Sequence, residues 1–315
     1  MKEFGIVIAC CRRDFNFAKG CCASVRYFLG DIPICLIVDG SFSTRSLEKT
    51  YSVCVIKHDN IIHQVLRERS FGWGLTKMIA FWESPFEKFL FLDADTVVWG
   101  NVLRFADCND SDIVIDQPYG AYSNETTSKF FFDIKGIETH FPSFQWRDRP
   151  YFVSGVFVAK KGIFELDEYV DLLNFNAKKP GIFKYGEQGI LNFMTFRAAD
   201  EGRVRLASRD MQTLIRRHSQ NELEERFPLN VKGPDCKDRE QEASVIHWAG
   251  FKPYIVNTGA YSKPMQFFRQ KFLTDSCGLS GLLSEALLMI EDFRLYRPKS
   301  SFLKKVFHSG LKRIA

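Results

Sequence analysis

Phe89-Leu90-Phe91-Leu92-Asp93-Ala94-Asp95 is an apolar run that stops at two carboxylates with one small residue between them. Side chains alternate along a strand, so Asp93 and Asp95 share a face, and at the strand's end both can reach one divalent cation. Ala94 leaves the backbone open to a closely approaching ligand. Hard cations such as Mg²⁺ and Mn²⁺ take carboxylate oxygens and keep other positions for water and phosphate. In open α/β sheets ligands bind outside the carboxyl ends of the strands, so the segment predicts a metal–phosphate site at such an edge.

The rest of the chain fits this frame. Phe4–Ala9, Ile34–Val38 and Val53–Ile56 read as buried strands, with helices expected over Ala18–Leu29 and Ser70–Trp82. Further strands are predicted at Ile113–Ile115, Phe152–Ala159 and Ser244–Trp248, and helices at Ile163–Asn174 and Glu187–Arg197. Strands alternating with helices point to βαβ units and a mainly parallel sheet. Pro118 to Pro150 is polar and without clear period, and is expected to be irregular and to cover the site. After about Pro264 the sheet pattern stops, and Leu279–Ile290 begins a helical region.

At 315 residues the chain can bury a large α/β core, and 45% hydrophobic with 26% charged residues is ordinary globular composition. Much of the phenylalanine, 31 residues, must be core. The formal charge of +5 sits in the tail, where Arg294, Arg297, Lys299, Lys304, Lys305, Lys312 and Arg313 meet no acid; subtracting these seven leaves −2. No nucleic-acid partner is expected. Nine cysteines form no CxxC pair, so neither a zinc ribbon nor a thioredoxin-type motif is supported, and Cys10-Cys11 and Cys21-Cys22 read as small buried hydrophobes. No apolar run nears the roughly 20 residues of a bilayer span. The expectation is a cytoplasmic protein with reduced thiols.

Four segments in order carry a resemblance. They are Asp93-Ala94-Asp95, Val153-Ser154-Gly155-Val156-Phe157-Val158, Gly186-Glu187-Gln188-Gly189-Ile190-Leu191-Asn192 and His247-Trp248-Ala249-Gly250-Phe251-Lys252-Pro253. Together they resemble the GT-A glycosyltransferases, most closely the retaining, glycogenin-like family 8. The resemblance implies a GT-A catalytic domain over 1–255 with a mainly parallel sheet, and a helical, basic extension over 256–315. It implies metal-dependent transfer of a hexose from a nucleotide sugar, a UDP-sugar, to a glycan or glycolipid hydroxyl with retention of configuration. Asp93, Asp95 and His247 would bind the metal, and the nitrogen ligand favours Mn²⁺ over Mg²⁺. Lys252 and the Gly250 backbone would meet the diphosphate, and Ser154, Gly155, Ala94, Lys77 and Asp116 the donor. Gln188 would lie nearest the anomeric carbon and Glu187 would hold sugar hydroxyls. Two departures stand out. Glu187 occupies a position where the family has Asp, and the loop Ala9-Cys10-Cys11-Arg12-Arg13-Asp14, where Cys10 would contact the donor, lacks the family's opening pattern.

Two other readings stay open. Leu92-Asp93-Ala94-Asp95-Thr96-Val97 fits the first motif of haloacid-dehalogenase-like phosphatases, with Asp93 as nucleophile and Asp95 as general acid/base, although here three strand-like runs precede it. A glycosyltransferase-like protein that binds without turnover is the other. Finally, Phe302, Leu303, Val306, Phe307, Leu311 and Ile314 recur at helical spacing among lysines and arginines. That pattern predicts a peripheral attachment to the anionic inner membrane face.

Overall fold

The computed structural model describes residues 2–295, apart from positions 73, 107–108, 118–121, 231, 237–242, 256 and 258–259. The tail pattern over 302–314 lies outside the described residues. A seven-stranded sheet runs in the order β3 (Cys54–Ile56), β2 (Ile34–Asp39), β1 (Lys2–Cys11), β4 (Phe86–Asp93), β7 (Val156–Lys160), β6 (Ile113–Asp116), β8 (Leu206–Arg209). Of these β7 alone is antiparallel to its neighbours. A smaller sheet, unforeseen from the sequence, has β12 (Ser244–His247) between β5 (Thr96–Trp99) and β9 (Gln212–Leu214). A two-stranded ribbon joins β10 (Leu229–Asn230) and β11 (Gly233–Pro234).

The central strands are apolar on both faces because both are covered. Ile6, Ile8, Leu90 and Leu92 point into one core, packed by the helix Phe15–Leu29. Val7, Phe89, Phe91 and Phe157 point into the other, with Phe91 stacked on Phe157 at 4.8 Å and Phe81 on Phe157 at 5.5 Å. That second layer is where much of the phenylalanine goes. Register then sets the site: Ala9 pairs with Asp93 and Cys11 with Asp39, so three strands end on one edge with Cys10, Asp39 and Asp93 together.

Helix Lys263–Cys277 packs on helix Phe15–Leu29, and Met265, Phe268, Phe272 and Leu273 enter the same core as the sheet. Gly20 allows the approach, since a Cβ there would press on Met265 Sδ. Beneath it a bidentate ion pair is fully buried: Arg269 Nη2 donates to Asp292 Oδ1 at 2.8 Å and Nη1 to Oδ2 at 3.0 Å. Arg269→Met should leave Asp292 as a buried charge without its cation. A loss of about 3–5 kcal/mol is expected, read as a lowered urea midpoint.

Three element predictions are corrected. Of the helix expected over Ser70–Trp82 only a 3₁₀ segment Leu75–Ile79 and a short helix Ala80–Glu83 form, while a separate helix Gln64–Arg69 ends just before it. Gly72 and Gly74 interrupt it with left-handed φ of 76° and 83°. The strand expected from Phe152 begins at Val156, because the Asn192 side chain takes both the N–H and the C=O of Phe152 at 2.9 Å each. Ser154 and Gly155 therefore form a turn at the end of β4. Pro118–Pro150, expected to be irregular, carries two short helices, Asn124–Phe130 and Ile134–His140.

Candidate active site

Asp93 ends β4, Asp95 follows in the turn to β5, and His247 ends β12 opposite Thr96. Three backbone or hydroxyl bonds lock this junction. Asp93 N–H donates to the Gly155 carbonyl at 2.8 Å, Thr96 Oγ1 to the Asp93 carbonyl at 2.8 Å, and Trp248 N–H to the Asp95 carbonyl at 3.2 Å. One ligand atom from each of Asp93, Asp95 and His247 lies within 4.8 Å of the others. His247 Nε2 is 3.7 Å from Asp93 Oδ2 and 3.8 Å from Asp95 Oδ1.

The donor chemistry suits a divalent ion. Gln212 Nε2 donates to the Val153 carbonyl at 3.1 Å, which turns its Oε1 to His247 Nδ1 at 2.8 Å. An amide oxygen only accepts, so Nδ1 carries the proton and Nε2 presents its lone pair to the carboxylates. Burial holds the His247 imidazole below the usual histidine range, although Asp95 and Asp93 push it up. It is therefore neutral at pH 7, the state that binds metal. Gln212 was not foreseen; a lone glutamine on a three-residue strand carries no sequence signal. Gln212→Leu should weaken Mn²⁺ binding about 10–100-fold while secondary structure persists, measured by titration calorimetry without substrate.

A lysine brackets each carboxylate. Lys77 Nζ lies 3.0 Å from Asp93 Oδ1 and 2.9 Å from Glu187 Oε1, and donates to the Ser154 carbonyl at 3.0 Å. Ser154 Oγ donates to Glu187 Oε1 at 2.8 Å. Burial works to lower the Lys77 ammonium, but Asp93 and Glu187 hold it above the ordinary lysine range. Lys252 Nζ meets Asp95 Oδ2 at 2.9 Å and Asp14 Oδ1 at 3.0 Å, and these two carboxylates raise it in the same way against its burial. Burial alone would raise Asp95; Lys252 and His247 outweigh it and hold the carboxyl below its usual range.

These groups line a cavity of about 820 Å³. Of the residues expected in the site, Cys10, Lys77, Asp93, Ala94, Asp95, Ser154, Glu187, Gln188, His247, Gly250 and Lys252 all line it. Gly155 lies beneath the Asp93–Asp95–His247 cluster, where a Cβ would strike His247 Cε1 and come within 2.9 Å of Asp93 Oδ2. Asp116 serves a different purpose from the donor contact expected of it. Its Oδ1 accepts the N–H groups of Met211 and Gln212, both at 3.0 Å, and so holds the strand that carries Gln212; burial raises its carboxyl to about 6. The Cys10 thiol is pushed well above its usual range by burial, so it faces the cavity as a small neutral group.

Several lining residues carried no signal in the sequence. Asp14 directly precedes helix Phe15–Leu29 and turns its carboxylate to Lys252. Asp39 accepts the Gly72 N–H at 2.9 Å and the Thr76 hydroxyl at 3.1 Å. Arg216 and Arg217 stand exposed on the rim, Arg216 over the Phe251 ring at 5.5 Å. At the mouth, Phe130 and Tyr185 stack at 5.7 Å and are both exposed. Gln188 Nε2 donates to the Phe130 carbonyl at 2.9 Å, leaving Oε1 for a ligand. Tyr185 and Gly186, with φ of 50° and 64°, make the sharp entry into helix Glu187–Asp200 that brings Gln188 there.

No family profile matches this sequence, and no curated protein does. Solved structures are similar in fold. The galactosyltransferase LgtC, in complex with donor and acceptor sugar analogues, matches with a TM-score of 0.53 at 14% identity, over 88% of this chain and 97% of that one. An active-site glutamine-to-glutamate mutant of LgtC matches at 0.55 and 13%, over 90% and 99%. The glycosyltransferase GlyE of Streptococcus pneumoniae TIGR4 matches at 0.51 and 14%, over 96% of this chain and 66% of that one. The fold is thus the GT-A fold, like that of family 8.

Proposed function

We propose that this protein is a divalent-metal-dependent glycosyltransferase that moves a hexose from a UDP-sugar to the hydroxyl of a glycan or glycolipid, with retention of configuration. The observation that carries the reading is the Asp93–Asp95–His247 cluster set beside Lys252 in a large cavity of a GT-A fold. The phosphatase alternative loses its scaffold with that fold. The binding-only alternative is disfavoured by the intact cluster, since loss of one carboxylate is the simplest way to lose turnover.

When bound, Mn²⁺ or Mg²⁺ would supply Lewis-acid stabilisation of the diphosphate leaving group, and the His247 nitrogen favours Mn²⁺. The other tasks fall to the chain. Lys252, held at the cavity edge by Asp95 and Asp14, can turn its ammonium to a phosphate as negative charge grows there. Gly250, at φ 69°, brings bare backbone close to that phosphate. Arg216 and Arg217 add positive charge at the rim.

Retention is supported by how the cavity's carboxylates are used. Among the described residues Asp14 and Glu187 are each held by a lysine, and Asp39 by a backbone amide and a hydroxyl. Asp93 and Asp95 belong to the metal cluster. An inverting reaction needs a carboxylate base opposite the leaving group. Glu187, tied to Lys77 and Ser154, would have to give up both to serve. Gln188 then offers a neutral amide beside the anomeric carbon, and LgtC too has a glutamine in its active site. The exposed Phe130–Tyr185 pair suits the apolar face of an acceptor sugar ring. Proton NMR of the first-formed product tests this: the donor's anomeric configuration should persist. An inverted product would remove the retaining assignment and make Glu187 the base.

A further inference from the structure

Helix Gly281–Leu295 is apolar on two sides, with Leu287, Leu288 and Leu295 packed on the core and a second apolar face turned outward. It buries Ser284, Leu288 and Asp292 against the body, with Asp292 held by Arg269 and by the Ile255 N–H at 2.7 Å. Its opposite face exposes Leu282 at 82%, Leu283 at 69% and Phe293 at 67%, together with Met289 and Ile290. At 3.6 residues per turn these five and Ala286 form one continuous stripe. Five of the eight large hydrophobics exposed among the described residues sit on this one helix, so the stripe is a patch and not scattered surface.

The chain beyond the helix identifies the occupant. Arg294 closes its last turn, and the twenty residues that follow contain Arg297, Lys299, Lys304, Lys305, Lys312 and Arg313 without one acid. A rigid apolar stripe continued by a basic segment fits an anionic lipid surface, which takes the apolar side chains below its headgroups and pairs its phosphates with the cations. A second copy of the chain would bring two such basic segments together. No single described helix is long and apolar enough to cross a membrane. We propose that the exposed face of helix Gly281–Leu295 lies in the interface of an anionic bilayer. The buried Arg269–Asp292 pair fixes the angle of that helix, and the Ile255 contact ties it to the segment bearing Lys252. The inference does not rest on the transferase reading, because its test uses no sugar.

The full-length protein should co-sediment at low salt with vesicles of phosphatidylglycerol and phosphatidylcholine, and not with phosphatidylcholine alone. The triple variant Leu283→Ser, Ile290→Ser, Phe293→Ser keeps every basic residue and touches nothing in the core, so its melting temperature should hold. Its partition should weaken at least about tenfold, the least expected from withdrawing three large apolar side chains from the interface. In a second variant, Phe293→Trp, tryptophan emission should shift to the blue with the anionic vesicles. Three results would overturn the proposal: no sedimentation of the unaltered protein, undiminished binding of the triple variant, or a solution dimer that the triple variant dissolves while neither form binds vesicles.

Discussion

Asp93→Asn is expected to lower sugar transfer by at least about a thousandfold, roughly 4 kcal/mol of transition-state stabilisation. The substitution replaces an anionic oxygen that faces His247 at 3.7 Å with an amide that cannot share a cation as a carboxylate does. Asp95→Asn should match it, since Asp95 Oδ1 faces the same nitrogen from the other side at 3.8 Å. Neither should unfold the protein. Lys77 retains Glu187 when Asp93 is neutral, and Lys252 retains Asp14 when Asp95 is, so no buried ammonium loses every counter-charge. Circular dichroism and melting should therefore stay close to those of the unaltered protein. Activity of either variant within tenfold of the original would remove the cluster from the mechanism.

The second large effect comes from one methyl group. Gly155→Ala would build a Cβ against His247 Cε1, at 2.8 Å from Nδ1 and 2.9 Å from Asp93 Oδ2. None of these can retreat easily. His247 is pinned by Gln212, Asp93 by Lys77, and the Gly155 carbonyl itself holds the Asp93 amide. The imidazole should be displaced from the carboxylates, and Mn²⁺ affinity should fall at least as far as in Gln212→Leu, by about a hundredfold. Calorimetric titration checks it. Affinity unchanged by the methyl group would mean that the ion does not sit between Asp93 and His247.

Local composition made the strands and the acidic pair legible, because a doubly covered sheet writes long apolar runs and ends them at its functional edge. Phe89–Asp95 says both things at once. The segment around His247 was readable only through its resemblance to a family motif, since a lone histidine at the end of a buried strand otherwise reads as core. What escaped was built by contacts distant in sequence. Gln212 matters only because β9 pairs with β12, and Asp116 holds backbone amides because β6 and β8 align in register. The turn at Ser154-Gly155 lies hidden inside an apolar run, since the group that ends the strand, Asn192, is forty residues away. Rim residues such as Arg216 and Tyr185 look like ordinary surface until the cavity is formed.

On the proposed function, Asp93, Asp95 and His247 hold a divalent ion that binds a nucleoside diphosphate. A thermal-shift panel of UDP, UDP-hexoses and other nucleotide sugars, run with Mn²⁺ and again with excess chelator, decides this. A ligand at a hundred times its Kd stabilises by about 2.7 kcal/mol, enough to move the melting temperature by several degrees. The expected result is a shift for UDP and at least one UDP-hexose that requires Mn²⁺ and disappears with chelator and in Asp95→Asn. A shift of equal size in excess chelator, or none with any nucleotide, would contradict it.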